Sequence, residues 1–414
     1  MAFVALASPA LAQRLPVGVV AVTSVEGVNE YRLANGLQVL LIPDDSKPST
    51  TVNLTYRVGS RHENYGETGM AHLLEHMLFK GTPKQRQVFA EFQKRGLAAN
   101  GSTSFDRTNY FETVPATDGN LAWALDLEAD RMVNSFIAQK DLESEMTVVR
   151  NELESGENSP ETTMWQALMA TGYHWHNYGK STIGARSDIE NVPITRLQAF
   201  YRKYYQPDNA VLVVAGKFDE AKVIAQVNRR FGTIPRPVRS LELGNLLYAT
   251  YTRDPAQDGE RTATIRRVAD KQLIGVMYRV PALAHPDNAA VQVLTALLGQ
   301  TPGGRFYRAL VETKLAARVT AFTFDLREPG AMIAWADVRK EQSLDSARVA
   351  MLRVLDQAST TPFTIEEVER ARNEVVSSIE RAMDNSESVG TGLTEFEASG
   401  DWRLLYLTRD RLKA

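Results

Sequence analysis

Apolar and polar residues alternate first in two short runs, Asn29-Glu30-Tyr31-Arg32-Leu33 and Leu37-Gln38-Val39-Leu40-Leu41-Ile42. They flank Asn35-Gly36, a dipeptide that accepts the backbone conformations of a tight turn, so the pattern predicts a β-hairpin. Residues 51–58, 108–114 and 210–216 read as further strands. The period lengthens to that of a helix over Gly69 to Phe79, and again over 121–155 with a break near 134–140. Between Thr233 and Arg261 the periodicity dissolves around Pro235, Pro237 and Pro255, which is how a linker reads.

Beyond the linker the pattern returns in outline. Val52-Asn53-Leu54-Thr55-Tyr56-Arg57-Val58 has a counterpart in Ile274-Gly275-Val276-Met277-Tyr278-Arg279-Val280. Each run leads through a polar loop into an apolar helix and then a Thr-Pro pair, Thr82-Pro83 and Thr301-Pro302. A duplicated unit of about 220 residues is therefore expected, far longer than solenoid repeats. The boundaries read as 21–235 for the first domain, 236–260 for the linker and 261–414 for the second domain. The copies differ at one place: Asn288 to Gln300 contains no His, Asp or Glu, whereas Gly69 to Phe79 contains three such residues within five positions.

Composition narrows the chemistry. Across 414 residues, 47 Lys and Arg face 50 Asp and Glu, a net charge of -3 that lacks the basic excess nucleic-acid binding needs. The absence of cysteine excludes thiol catalysis and thiolate metal sites, so any metal must rest on His, Asp or Glu. No segment reaches the roughly 18 apolar residues of a membrane-spanning helix. Residues 1–12 are uncharged and end in Ala10-Leu11-Ala12, the small-residue pattern of a signal-peptidase site without the preceding basic stretch. Residues 1–20 thus read as an export-signal remnant with an N-terminal extension, and the expected location is periplasmic or otherwise extracytoplasmic.

The candidate chemistry lies in His72-Leu73-Leu74-Glu75-His76. On a helix, positions four apart share a face, so His72 and His76 can aim their imidazoles at one point, with Glu75 beside them. With 6 His in the chain, His-x-x-Glu-His is expected roughly 0.006 times by chance. A catalytic zinc needs a third protein ligand and an open position. The helical stretch Gln139 to Gly156 supplies candidates beside its stripe of Leu142, Met146, Val149 and Leu153. Glu143 and Glu154 point away from the stripe, whereas Glu145 and Glu152 border it, and spacing does not choose between them.

These residues resemble the inverted zinc motif of the pitrilysin family of metallopeptidases, the inverzincins. The likeness extends over Arg32 to Leu37, Gly69 to Thr82, Asn100 to Phe111, Val148 to Glu152 and Ile183-Gly184. It implies an α+β fold of two homologous α/β-roll domains, each an antiparallel-rich sheet covered by helices, together half of a clam-like chamber. It also implies one Zn2+ per chain held by His72, His76 and Glu152, with Glu75 activating water and Glu145 at the accessory acidic position. Asn100 resembles the family's substrate-contacting asparagine, beside the strand 108–114, which is expected to be the exposed edge that takes extended peptides. The implied function is a zinc-dependent endopeptidase acting on unfolded peptides; the alternative is a noncatalytic zinc-containing assembly or chaperone subunit.

One departure bears on assembly. Many family members carry an Arg and a Tyr, seven residues apart, in the half without zinc ligands; here Val311 and Ala317 stand in their places. A homologous second subunit is expected to supply the pair in a heterodimer, as in two-subunit members related to mitochondrial processing peptidase, with a homodimer the less favoured arrangement. The family usually continues through a further helix and strand beyond the helical run that reaches Lys413-Ala414, so a truncated second domain is expected.

Overall fold

The computed structural model describes residues 15–249 and 251–414. The export-signal reading at residues 1–12 falls outside them. Seven strands form the first sheet: β1 (Val19–Val25), β2 (Val28–Leu33), β3 (Gln38–Pro43), β4 (Ser49–Tyr56), β5 (Ala98–Thr103), β6 (Thr108–Pro115) and β7 (Ala210–Gly216). Their order is β1-β2-β3-β7-β4-β6-β5, with β3 and β7 parallel and the other pairs antiparallel. The predicted hairpin is β2–β3. Its Gly36 has φ 99°, and a Cβ there would meet the Asp208 backbone at 3.1 Å, so both conformation and space require glycine.

The expectation that 108–114 forms the sheet edge is corrected: β6 pairs with β4 on one side and β5 on the other. Among the described residues β5 has no neighbour on its outer side, so it forms this edge of the sheet, with β1 at the other. Its sequence, Ala98-Ala99-Asn100-Gly101-Ser102-Thr103, is small and polar, with no alternation of large apolar residues to announce a strand.

Helices α1 (Met70–Met77), α2 (Val88–Arg95), α3 (Asp118–Asn134) and α4 (Gln139–Glu157) follow the first strands, then α5 (Pro160–Gly172), the short α6 (Arg186–Ile189), α7 (Ile194–Tyr204) and α8 (Glu220–Phe231). Leu73, Leu74 and Met77 of α1, Leu125 and Leu127 of α3, and Leu197 and Phe200 of α7 pack with Leu54, Tyr56 and Tyr110 in the main core. Burying each such side chain is worth about 1.5–3 kcal/mol, which is why these amphipathic helices settle on this face.

From 235 to 271 the described residues contain neither helix nor strand. This segment is tied down by side chains: Arg239 pairs with Asp208, and Asp254 accepts the backbone N–H groups of His174, Trp175 and His176. The second sheet contains β8 (Gln272–Val280), β9 (Ala316–Phe324) and β10 (Gly330–Val338) in the order β8-β10-β9, the same order as β4-β6-β5. Around it lie α9 (Asn288–Gly299), α10 (Leu344–Ala358) and α11 (Ile365–Met383), then α12 (Ser386–Ala398) and α13 (Leu404–Lys413). Leu298, Met351 and Val354 cover one face of this sheet, and Trp165, Leu168 and Met169 of α5 cover the other. Val389, Leu393, Leu405 and Tyr406 of α12 and α13 pack on Val28, Leu40, Val211 and Val213 of the first sheet. The α+β class with antiparallel-rich sheets is as the family resemblance implies. Among the described residues no helix is long and apolar enough to cross a membrane.

Candidate metal centre

Helix α1 starts where the chain turns at Gly69, whose φ is 89° and where a Cβ would meet the Ile183 carbonyl oxygen at 2.4 Å. The Glu63 carboxylate accepts the N–H groups of Gly69 and Ala71 at 2.9 and 2.8 Å, meeting orphan donors of the first turn. Burial, opposed by those two bonds, pushes the Glu63 carboxyl up to about 8. The apolar side of α1 is locked into the core, which turns His72 and His76 outward together.

The two imidazole Nε2 atoms lie 3.3 Å apart, and Glu152 Oε2 lies 3.6 Å from each. Glu152 comes from α4, which packs against α1 and is anchored by Leu142, Val149 and Leu153. Ligands about 2.0–2.1 Å from a tetrahedral zinc stand about 3.3 Å from one another, so this triangle fits the ion in size as well as in donor type. Burial, and then the neighbouring His76, lower the His72 pKa to about 4, leaving the ring neutral with a lone pair to give. The rings are partly exposed and Glu152 is half-exposed, so the point they share is reached from solvent.

The two candidate acids of α4 differ in their neighbours. Glu145 Oε2 faces His76 Nδ1 at 3.2 Å, and its other oxygen pairs with Lys80. A proton on Nδ1 shared with Glu145 leaves Nε2 as the donor atom, the usual arrangement behind a metal-bound histidine. Glu145 therefore meets the far side of a ring, whereas Glu152 meets the point both rings face. Glu143 and Glu154 are exposed, and Glu154 pairs with Arg186.

Glu75 is buried beside the triangle. Its Oε2 accepts a 2.8 Å hydrogen bond from Thr103 Oγ1 on β5, and a Cβ on Gly101 would stand 2.9 Å from its Oε1. Burial raises the Glu75 carboxyl above the usual range, opposed by the Thr103 bond and by the charges of His76 and Arg107. Asn100 is not brought into this cluster. It lies exposed on β5, where alternation turns Gly101 and Thr103 toward α1 while Ser102 bonds Asn109 on the opposite face. The motif reading passed over Thr103, Gly101, Lys80 and Glu63; the only trace of the first two is their spacing of two on a strand.

Behind α1, Arg131 lies under the rings of Phe79 and Tyr110 and pairs with Glu128 at 2.5 Å and Glu112 at 3.4 Å, all three buried. In the second half, Arg305 bonds the carbonyls of Thr361 and Pro362 and covers the Phe363 ring, while Tyr307 packs against the local core.

Comparison with known proteins accords with this site. Residues 38–186 match the model of the insulinase family, peptidase family M16, and residues 191–375 match that of the peptidase M16 inactive domain. The chain is 30% identical over 362 residues to zinc protease PqqE of Helicobacter pylori, covering 85% of this chain and 80% of that protein. It is 26% identical over 373 residues to a probable mitochondrial-processing peptidase subunit beta of Arabidopsis thaliana, covering 86% and 68% of the two chains. The crystal structure of a protease from Helicobacter pylori superposes with a TM-score of 0.86 at 26% identity, covering 93% of this chain and 92% of that one. The chain carrying this histidine pair therefore belongs to the M16 family of insulinase- and pitrilysin-like zinc proteases.

Proposed function

We propose that the protein is a zinc-dependent endopeptidase that cleaves unfolded peptides. The observation that carries the reading is the convergence of His72 Nε2, His76 Nε2 and Glu152 Oε2 on one solvent-reached point, with the Glu75 carboxyl beside it and outside the triangle. A site serving stability alone has no use for that carboxylate. When bound, zinc supplies a Lewis acid that polarises a peptide carbonyl and acidifies water. His72, His76 and Glu152 would hold the ion, and the Glu145–Lys80 pair fixes the His76 ring. Glu75 takes the proton from the attacking water at a carboxylate oxygen and returns it to the leaving amine. The free edge of β5, including Asn100, receives substrate backbone as an added strand, which binds main chain with little regard to sequence.

In this reading 21–235 is the metal-binding domain and 261–414 its homologue, joined through 236–260. A second homologous subunit closes the chamber and supplies the Arg/Tyr pair that Val311 and Ala317 replace. The resemblance to a processing-peptidase subunit and the Ala10-Leu11-Ala12 pattern support a two-subunit enzyme outside the cytoplasm. The test is hydrolysis of a quenched peptide by the purified protein, alone and with its homologous partner. Chelator should abolish it and zinc restore it. Glu75→Gln should keep its zinc and lose about 10²–10⁴-fold in rate; wild-type activity in that variant overturns the reading.

A further inference from the structure

We propose that Thr103 is a positioning residue that holds Glu75 in its working orientation, and that the edge strand β5 thereby aligns the base as well as offering backbone to substrate. The inference rests on the reading of Glu75 as the base. A glutamate side chain has three rotatable bonds, and nothing in α1 itself selects among its rotamers. Thr103 does so from outside the helix. Its hydroxyl lies 2.8 Å from Glu75 Oε2, the one side-chain hydrogen bond Glu75 makes among the described residues. Threonine suits the task because its branched Cβ leaves few χ1 choices, so the hydroxyl is aimed before the bond forms.

The other carboxylate oxygen is placed by an absence. A Cβ at Gly101 would press on Glu75 Oε1 at 2.9 Å and on the Phe79 ring at 3.1 Å, so the missing side chain leaves the space that Oε1 occupies. Gly101 and Thr103, two apart on one strand face, thus form a slot with a donor at one end and clearance at the other. Gly101 pairs with Tyr110 and Thr103 with Thr108, which holds the slot to the body of the sheet. A substrate strand added along the outer side of β5 would stiffen the strand whose inner face grips the base, linking occupancy to the alignment of Glu75.

The experiment compares Thr103→Val, which keeps the shape and removes the hydroxyl, with Thr103→Ser, which keeps the hydroxyl, in whichever assembly the wild type is active. Thr103→Val should lower kcat about tenfold or more, part of the general-base contribution, with KM and zinc content unchanged; Thr103→Ser should recover most of it. Crystal structures of both should show one Glu75 rotamer in the serine variant and a displaced or split carboxylate in the valine variant. Unchanged kcat, a loss confined to KM or zinc content, or an undisturbed carboxylate in Thr103→Val overturns the proposal. Activity surviving in Glu75→Gln would instead overturn the assignment of the base, and the rotamer comparison still decides whether Thr103 holds the side chain.

Discussion

The sheet segment β4-β6-β5 with helix α1 and the segment β8-β10-β9 with helix α9 share a strand order and diverge in what the helix presents. In the first, α1 carries His72, Glu75 and His76 and lies beside α4, whose acids reach the rings. In the second, α9 carries no His, Asp or Glu, and its Gly299 allows close contact with Ala321 of β9, where a Cβ would stand 2.4 Å from that of Ala321. A glycine relieves crowding in both places, on the strand at Gly101 and on the helix at Gly299. In the first half the space admits a carboxylate; in the second it admits closer packing. One framework therefore carries either a cluster of histidines and acids or close helix-to-strand packing, according to a few side chains on the helix and the edge strand.

The sharpest break of that comparison is His76→Leu, which makes α1 resemble α9. Zinc content measured on the purified protein should fall from one equivalent to near zero, and peptidase activity should be lost. Next is the charge buried behind α1, where Arg131 lies between Glu128 and Glu112. Glu128→Ala should cost about 3–5 kcal/mol in denaturant or thermal unfolding, because Arg131 loses its nearer partner. Glu112→Gln should cost less: Glu112 stands 3.4 Å from Arg131 where Glu128 stands 2.5 Å, and burial with the nearby Glu128 raises the Glu112 carboxyl above the usual range. Equal losses would show that the pair acts as one charge.

The smallest effect concerns the contact between the halves. Glu328 meets His176, Arg61, Arg253 and Tyr251. Burial pushes its carboxyl up, but the bonds from His176 and Tyr251 and the charge of Arg253 bring it down to about 2. A lowered folded-state value gives stability that is complete above the unfolded value, ~4.3, and is lost as pH falls toward 2. Glu328→Gln should therefore flatten the pH dependence of the melting temperature below about pH 4 and leave the neutral-pH zinc content unchanged.

Much of this was legible from residue order. The hairpin at Asn35-Gly36, the helix bearing His72 and His76, and the break between α3 and α4 follow from turn chemistry and period. The different neighbours of Glu145 and Glu152 did not: seven residues apart, they share a helix face, and only the crossing of α4 over α1 sets one behind a ring and the other in front of both. The edge strand was misplaced because Ala98 to Thr103 carries no large apolar residue for a periodicity to register. The coverage of the first sheet by α12 and α13 was illegible for another reason. An amphipathic stripe states that a helix is buried and says nothing about which distant surface buries it.

That coverage has a consequence for how the molecule can be taken apart. The first sheet lies under α12 and α13, and the second lies under α5, so each half keeps the other's apolar surface from water. A cut in the segment between them would not release two self-sufficient pieces, because each would come away with a bare greasy flank. Any exchange of halves between relatives must carry these covering helices across with the sheets they shield.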